Sequence, residues 1–366
     1  MTNLDDERSF ALLDSGGMGA QIAGFPHACA AAWAEAQKVS LPLAYRAVRS
    51  VVILGMGGSA ISGDLARALG TNSASVPIEV VRGYHIPGYV DSNTLVIAIS
   101  YSGGTEETLA AFSAAKERTA SLIVVASGGK LQARALAAGI PHYAIRTKSQ
   151  PRAALPHLYM PVLHALTTLY LIRCSAREIE QAASFIADQA PAFASDVPTN
   201  ENPAKNLARA LFGKIVSIHA SEFLGEVARR WKTQINENSK QWAEFETLPE
   251  ANHNAVVGYA HPLGNTDSIC VIQLHSPLYH ERTRIGMEAA RELLNAASIA
   301  NRLVTVLGPT PLAQQLFAIL LGDYVSYYLA MLNGVDPTPV ANIDHVKARL
   351  AEAPTQVVPQ RGDTKV

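Results

Sequence analysis

Short, continuous apolar runs alternate along the chain with longer stretches whose apolar residues recur every three or four positions. Ser50-Val-Val-Ile-Leu54, Thr94-Leu-Val-Ile-Ala-Ile99 and Ser121-Leu-Ile-Val-Val-Ala126 belong to the first kind. Such runs are what a strand buried on both faces of a parallel sheet requires. Around them the pattern predicts a further strand at Ile78–Arg82 and helices over Ala60–Leu69, from Thr105 onward, and near Lys130–Ala138. A polar, partly helical leader precedes the first strand, and a long apolar helix around Leu158–Ile172 closes this half. The Pro- and Asn-bearing segment Ala192–Pro203 reads as a linker or crossover. The rhythm then resumes with a strand at Lys214–His219, a long helix at Phe223–Asn238, and strands near Ala255–Tyr259 and Ser268–Leu274. A helix at Arg282–Ala297, a strand at Leu303–Leu307 and a helix at Pro311–Leu332 complete it. The expected fold class is α/β, with two tandem α/β/α sandwich domains, each a mainly parallel sheet flanked by helices. The expected divisions are 1–190, 191–353 and a disordered tail at 354–366.

Composition narrows the function classes. The 366 residues are 48% hydrophobic, enough for a large core. The balance of 30 basic against 31 acidic residues, with no basic stripe, argues against a nucleic-acid partner. Apolar runs such as Leu316–Leu321 are shorter than a bilayer requires, so no membrane partner is expected. The first residues lack the basic start and apolar stretch of a signal peptide. Cys29, Cys174 and Cys270 are scattered and odd in number, which favours a reducing, cytoplasmic location over a disulfide frame or a zinc site.

The most informative chemistry lies in Ile99-Ser-Tyr-Ser-Gly-Gly-Thr-Glu-Glu107. A buried strand breaks into three hydroxyl side chains, Ser100, Ser102 and Thr105, spaced by Gly103 and Gly104. A helix then starts with Thr105 as the expected N-cap. Free backbone N–H groups, a helix N-terminus and several hydroxyl donors together describe a phosphate cradle. The first Gly-rich turn, Gly55-Met-Gly-Gly-Ser-Ala60, satisfies the dinucleotide pattern G-x-G-x-x-A, so a nicotinamide dehydrogenase is one reading. Against it, the downstream acidic residue Glu79 sits inside the second strand rather than at its carboxyl end. Gly57, Gly58, Ser59 and Ser62 instead make this turn a second donor surface, and two such loops at neighbouring strand ends converge on one small ligand.

These motifs carry a family resemblance. Gly55-Met-Gly-Gly-Ser-Ala-Ile-Ser-Gly-Asp64, Ser100-Tyr-Ser-Gly-Gly-Thr-Glu-Glu-Thr108 and Pro151-Arg-Ala-Ala-Leu155 resemble, in the same order, motifs of the bifunctional phosphoglucose/phosphomannose isomerases, which are built from two sugar-isomerase (SIS) domains. Arg230-Trp-Lys-Thr-Gln-Ile-Asn-Glu-Asn-Ser-Lys240, Pro249-Glu-Ala-Asn-His-Asn254 and Ile343-Asp-His-Val-Lys-Ala-Arg-Leu350 extend the likeness from about residue 8 to 352. Gly104 departs from it, since the family usually carries Asn there, and so does Pro156 after the Pro-Arg segment.

An aldose–ketose isomerase must anchor a phosphate, open a sugar ring and carry a proton between C1 and C2 through an enediol, and a partly buried carboxylate serves as the shuttle. Glu237, at the end of the long helix, has Asn236 and Asn238 beside it, amides placed to hold its carboxylate; the resemblance implies that Glu237 is the catalytic base. It likewise implies that His253 opens the ring and reaches the site from the neighbouring subunit of a homodimer. By the same resemblance Lys347 would share ring opening and steady the developing oxyanion, and Arg152 would stabilise the enediolate. The implied partner is a phosphorylated hexose, with phosphate on Ser59, Ser100, Ser102 and Thr105, and neither cofactor nor metal is implied. A small residue in Asp336-Pro-Thr-Pro-Val340 hints at room near C2 for mannose 6-phosphate. Three other features keep structural readings. Glu222 and Glu226 are expected to form exposed ion pairs with Arg229 and Arg230 on one helix. Tyr324, Tyr327 and Tyr328 are expected in core or dimer packing, and Asp344 and Lys347 as an i,i+3 surface pair in the absence of a catalytic role. A non-catalytic phosphosugar sensor of the same architecture is the other reading; it would have no need of Glu237 and His253.

Overall fold

The computed structural model describes residues 3–261 and 267–352; the tail expected at 354–366 lies outside them. Three leader helices, α1 (Glu7–Leu13), α2 (Met18–Ala23) and α3 (Phe25–Ala36), precede a first sheet. That sheet is built from β1 (Ser50–Leu54), α4 (Gly57–Gly70), β2 (Ile78–Val81), β3 (Thr94–Ser100), α5 (Glu106–Glu117), β4 (Ser121–Ala126), α6 (Gly129–Ala137) and β5 (His142–Ala144). Helices α7 (Leu155–Thr168), α8 (Ala176–Gln189) and α9 (Pro203–Leu211) lead to the second sheet. This one comprises β6 (Ile215–Ser221), α10 (Gly225–Ser239), β7 (Ala243–Leu248), β8 (Ile269–His275), α11 (Glu281–Ala296) and β9 (Ala300–Thr305). Helices α12 (Pro311–Leu332) and α13 (Ala341–Glu352) follow.

All strand pairs are parallel, in the orders β2-β1-β3-β4-β5 and β7-β6-β8-β9. In each sheet the chain first adds a strand on one side, then crosses to the other. The crevice at that switch point, β1/β3 or β6/β8, lies at the carboxyl ends of the strands, where open α/β sheets bind ligands. The central strands are apolar because helices cover both faces: Val51 to Leu54 and Leu95 to Ile99 are fully buried.

Helix α12 joins the two parts. Every residue from Leu312 to Leu332 is buried, against α8, α9 and α10. By length and a mean hydropathy of 1.3 it could cross a membrane. That corrects the expectation that no apolar stretch reaches span length; here its apolar surface is taken up by the chain's own core. Gln315 joins α4 to the second half, donating to the Leu65 and Phe223 carbonyls and accepting from Tyr159 Oη. Tyr324, Tyr327 and Tyr328 pack inside this core, as expected.

Three expectations are corrected. The segment 255–259 is a 3-10 helix (Ala255–Ala260), and the strand at this point of the chain is Ala243–Leu248. The segment 192–203, read as a linker or crossover, connects α8 to α9 and is held by Asn202, which is buried and caps α9 through Ala204 and Lys205 N–H. Glu222 is not on α10: it stands in left-handed backbone (φ 47°) and accepts from His280 N–H. Arg230 pairs with buried Asp323 (2.6 Å), while Glu226 holds Arg67 and Arg229. Pro156 sits in the first turn of α7, where its missing N–H costs nothing.

Candidate active site

The first-sheet loops come together through backbone and hydroxyl contacts. Ser59 Oγ accepts from Tyr101 N–H (3.2 Å), tying the glycine turn after β1 to the serine loop after β3. Ser100 Oγ and Thr105 Oγ1 share a hydrogen bond of 3.0 Å, and Ser102 Oγ accepts from Gly104 N–H (3.3 Å). Thr105 precedes α5 in extended backbone but caps no N–H with its side chain. Helices α4 and α6 also begin without side-chain caps, whereas Ser175, Asn202 and Thr310 cap α8, α9 and α12. First-turn N–H groups without an intrachain partner suit an anion. Ser62 corrects its expected place on the donor surface: it is fully buried and spends its hydroxyl on the Ser59 carbonyl (2.6 Å).

A third loop, Ser127-Gly128-Gly129, supports the cradle and was not singled out from the sequence. Gly103 (φ 65°) and Gly129 (φ 66°) interlock so tightly that a Cβ on Gly103 would lie 1.8 Å from the Gly128 carbonyl oxygen. Ser127 and Leu131 donate from their backbones to the Tyr101 and Gly103 carbonyls. Only glycine combines left-handed backbone with such an approach. The repeated Ser-Gly-Gly in the two loops was the available signal.

Arg152 follows in the turn after the first sheet. Tyr101 Oη donates to the Thr147 carbonyl and accepts from Ser149 N–H, anchoring the segment that leads to it. A Cβ on Gly58 would stand 3.2 Å from the Pro151 carbonyl oxygen, so the glycine turn rests against this segment. Arg152 is buried, with Nη1 3.9 Å from Glu237 Oε2. Burial pushes its guanidinium below the ordinary value, Glu237 and Asp336 oppose that shift, and Arg230 adds to it. The Glu237 side chain is 31% exposed, partly sheltered yet reachable. Its flanking amides do not hold its carboxylate, contrary to expectation: Asn236 Oδ1 accepts from Ala243 N–H, and Asn238 bonds Arg152 and Ser326. Lys240, in left-handed backbone, donates to the Glu237 and Pro337 carbonyls and closes the end of α10.

Thus the chain brings the glycine turn (Gly57, Gly58, Ser59), the serine loop, Arg152 and Glu237 into one region; His253 stands away from it, and Lys347 is exposed. Strand β7 starts beside Asn236 and runs away from Glu237 for six residues, roughly 16 Å at strand rise. His253 lies beyond its far end, exposed. Lys347 is on α13, whose described side chains are all exposed, although Thr338, just before that helix, accepts from Arg152. Among the described residues Asp344 makes no ion pair with Lys347. Glu79 lies mid-strand and accepts from Tyr89 Oη. No cluster of three His, Cys, Asp or Glu side chains suited to a metal occurs among the described residues.

Comparison with known proteins gives consistent results. Residues 44–174 match the SIS domain model and 200–350 the model for the bacterial phospho-glucose isomerase C-terminal SIS domain. The chain is 38% identical over 332 residues to a bifunctional phosphoglucose/phosphomannose isomerase of Caldicellulosiruptor bescii, covering 90% of this chain and 98% of that one. A protein of the same name from Aquifex aeolicus is 32% identical, over 82% of this chain and 90% of its own. Among solved structures, a hypothetical protein from Thermus thermophilus superimposes with a TM-score of 0.74 at 16% identity, covering 94% of this chain and 92% of that one; that likeness concerns the fold.

Proposed function

The chain belongs to the bifunctional phosphoglucose/phosphomannose isomerase family, and from that premise we propose that it interconverts glucose 6-phosphate and fructose 6-phosphate and also accepts mannose 6-phosphate. The observation that carries the reading is the pairing, at 3.9 Å, of a buried Arg152 with a partly exposed Glu237 beside a loop whose helix N-terminus has no side-chain cap.

The roles follow from the geometry. The phosphate sits on Ser59, Ser100, Ser102 and Thr105 and the N–H groups of Gly57, Gly58 and the first turn of α5. Glu237 removes the proton from C2 of the aldose and returns it to C1 of the enediol, or the reverse. At 3.9 Å, Arg152 is close enough to steady the enediolate and too far to quench Glu237 by a direct hydrogen bond. His253 opens the ring from a second copy, consistent with its position at the far end of β7. Lys347 shares that step. Ile343, Val346 and Leu350 form an exposed apolar stripe on α13 next to Lys347, which favours association of two copies. The working unit is therefore a homodimer, the expected site of action is the cytoplasm, and neither nucleic acid nor membrane takes part. The divisions 1–190 and 191–353 are proposed as its two SIS domains.

The test is a coupled assay of fructose 6-phosphate conversion in EDTA, comparing wild type with Glu237→Gln. Loss of the base should cost on the order of a hundredfold or more. Absence of wild-type turnover, despite thermal stabilisation by the sugar phosphate, would replace the isomerase by a sensor. A verified monomer with full activity would remove His253 donation.

A further inference from the structure

Arg152 has five N–H groups. Nε–H donates to Asn238 Oδ1 (2.6 Å), and Nη2 donates to the carbonyls of Pro337 (2.5 Å) and Thr338 (2.9 Å). Three of the five thus meet neutral acceptors. The remaining nitrogen, Nη1, is the one that faces Glu237.

Asn238 is fully buried, and the orientation of its amide is dictated from below. The Asp323 backbone carbonyl can only accept, and Ser326 Oγ donates to it (2.7 Å). With its hydrogen committed, Ser326 Oγ must accept from Asn238, and Nδ2 stands 2.9 Å away. The amide oxygen is therefore left for Arg152 Nε. A flipped amide would set N–H against N–H at Arg152. The same helix faces hold the arginine's backbone: Arg230 Nη2 donates to the Arg152 carbonyl (3.1 Å) and to Asp323 Oδ2, while Gln234 Nε2 donates to Asp323 Oδ1 (3.0 Å). Arg230, Gln234 and Asn238 recur every four residues, which puts all three on the side of α10 that meets α12.

We propose that Asn238 and Ser326 are positioning residues that lock the Arg152 guanidinium, so that the Nη1 edge alone is presented to Glu237 and the reacting atoms. The effect on turnover rests on the isomerase reading, whereas the locking itself does not. The hydrogen-bond order also explains why an amide is required at 238: a carboxylate there would accept from Arg152 but could not donate to Ser326, and a shorter side chain would leave Nε–H buried without an acceptor.

The experiment follows the Arg152 Nε–H resonance in the full chain by proton–nitrogen correlation, assigned by its loss in Arg152→Lys. In wild type it should exchange slowly with water. Asn238→Ala and Ser326→Ala should each shift it and speed its exchange, and Ser326→Thr, which keeps the hydroxyl, should restore it. The same two alanine variants should lower kcat for fructose 6-phosphate about ten- to hundredfold, the range for one hydrogen bond to a charged group, with KM changed less than about threefold. In the Arg152→Lys background, Asn238→Ala should cost less than about twofold, because residues acting through one another are non-additive. An unmoved Nε–H resonance overturns the proposal. So does a full additional loss in the Arg152→Lys background, which would mark Asn238 as a packing residue. A wild type that turns over no hexose 6-phosphate sinks the isomerase reading, and the resonance alone then decides the locking.

Discussion

At the switch point of the first sheet the loops after β1 and β3 are built of glycine and hydroxyl residues, and the helices that follow start with open N–H groups. At the switch point of the second sheet, between β6 and β8, the topology is the same and α10 too begins without a side-chain cap, but the polar groups of the loops are disposed differently. Ser221 Oγ donates to the Leu248 carbonyl, and Ser276 Oγ donates to Gln314 Oε1 and accepts from Leu278 N–H. Tyr279 Oη accepts from Ser221 N–H and donates to the Leu274 carbonyl. The Glu222 carboxylate spans the crevice to His280 N–H, and the His280 ring caps α11. Polar groups that resemble a binding loop by composition are spent on their own neighbours, and the Glu222 carboxylate adds a negative charge between the two loops. The contrast separates architecture from activity: the crevice is a property of strand order, while binding depends on which donors the loops leave free.

The contrast is broken most severely at Gly103. Gly103→Ala must place a Cβ on left-handed backbone against the Gly128 carbonyl, and kcat/KM for fructose 6-phosphate should fall on the order of a hundredfold or more, with a lower melting temperature. Gly225→Ala, at the second switch point, meets only the Thr247 methyl at 3.3 Å and should cost under about 1 kcal/mol by chemical denaturation. Equal losses would mean that the interlock has no bearing on the cradle.

Next in size is the paired test of hydroxyls. Ser100→Ala should raise KM about tenfold or more, since it removes a donor to a charged group, whereas Ser276→Ala should leave KM unchanged and lower stability by about 1 kcal/mol. A raised KM in Ser276→Ala would show that both crevices take ligand.

Buried His219, in β6 beneath the second switch point, supplies a smaller, pH-dependent effect. Burial pushes its pKa down to about 4, below about 6.5 for the unfolded chain. The unfolded state therefore takes up the proton first, so stability is whole above pH 6.5 and is lost as pH falls toward 4. At pH 5.5 the loss should be about 1.4 kcal/mol relative to pH 7.5. Urea melts of wild type and His219→Gln at the two pH values check it; an unchanged slope in the variant would reassign the proton to His157, His164 or His275, whose values burial also lowers.

The smallest effect sharpens the comparison. A Cβ on Gly104 would meet only Ser102 Oγ, at 3.9 Å, and its φ is not positive, so Gly104→Asn should fit without strain and lower KM about two- to fivefold by adding a donor to the cradle. No change in KM would mean that the backbone N–H groups already saturate the phosphate.

Local pattern explains which parts of this arrangement were legible. The bounds of β1, β4 and α12 follow from their apolar runs, because each is buried on all sides. Strand β7 was missed because it is an edge strand whose Glu244 and Thr247 face water, so no apolar run forms. Ala255-Val-Val-Gly-Tyr259 mimicked a strand and closed into a 3-10 helix instead. The serine loop was readable since its chemistry is contiguous in sequence. The locking of Arg152 was not, because Asn238, Ser326 and Pro337 lie 86 or more residues from it, and nothing local announces that an amide beside Glu237 serves the arginine.

Helix α12 also has a consequence for synthesis. It is made near the end of the chain, yet Phe10, α4 and α8 pack against it. Translation from residue 190 to its last turn takes on the order of ten seconds or more. Throughout that interval the nascent first half holds an apolar face that nothing on the same chain can yet cover. Release from the ribosome before Leu332 would leave that face open to aggregation, so this fold completes its oldest-made part with one of its youngest.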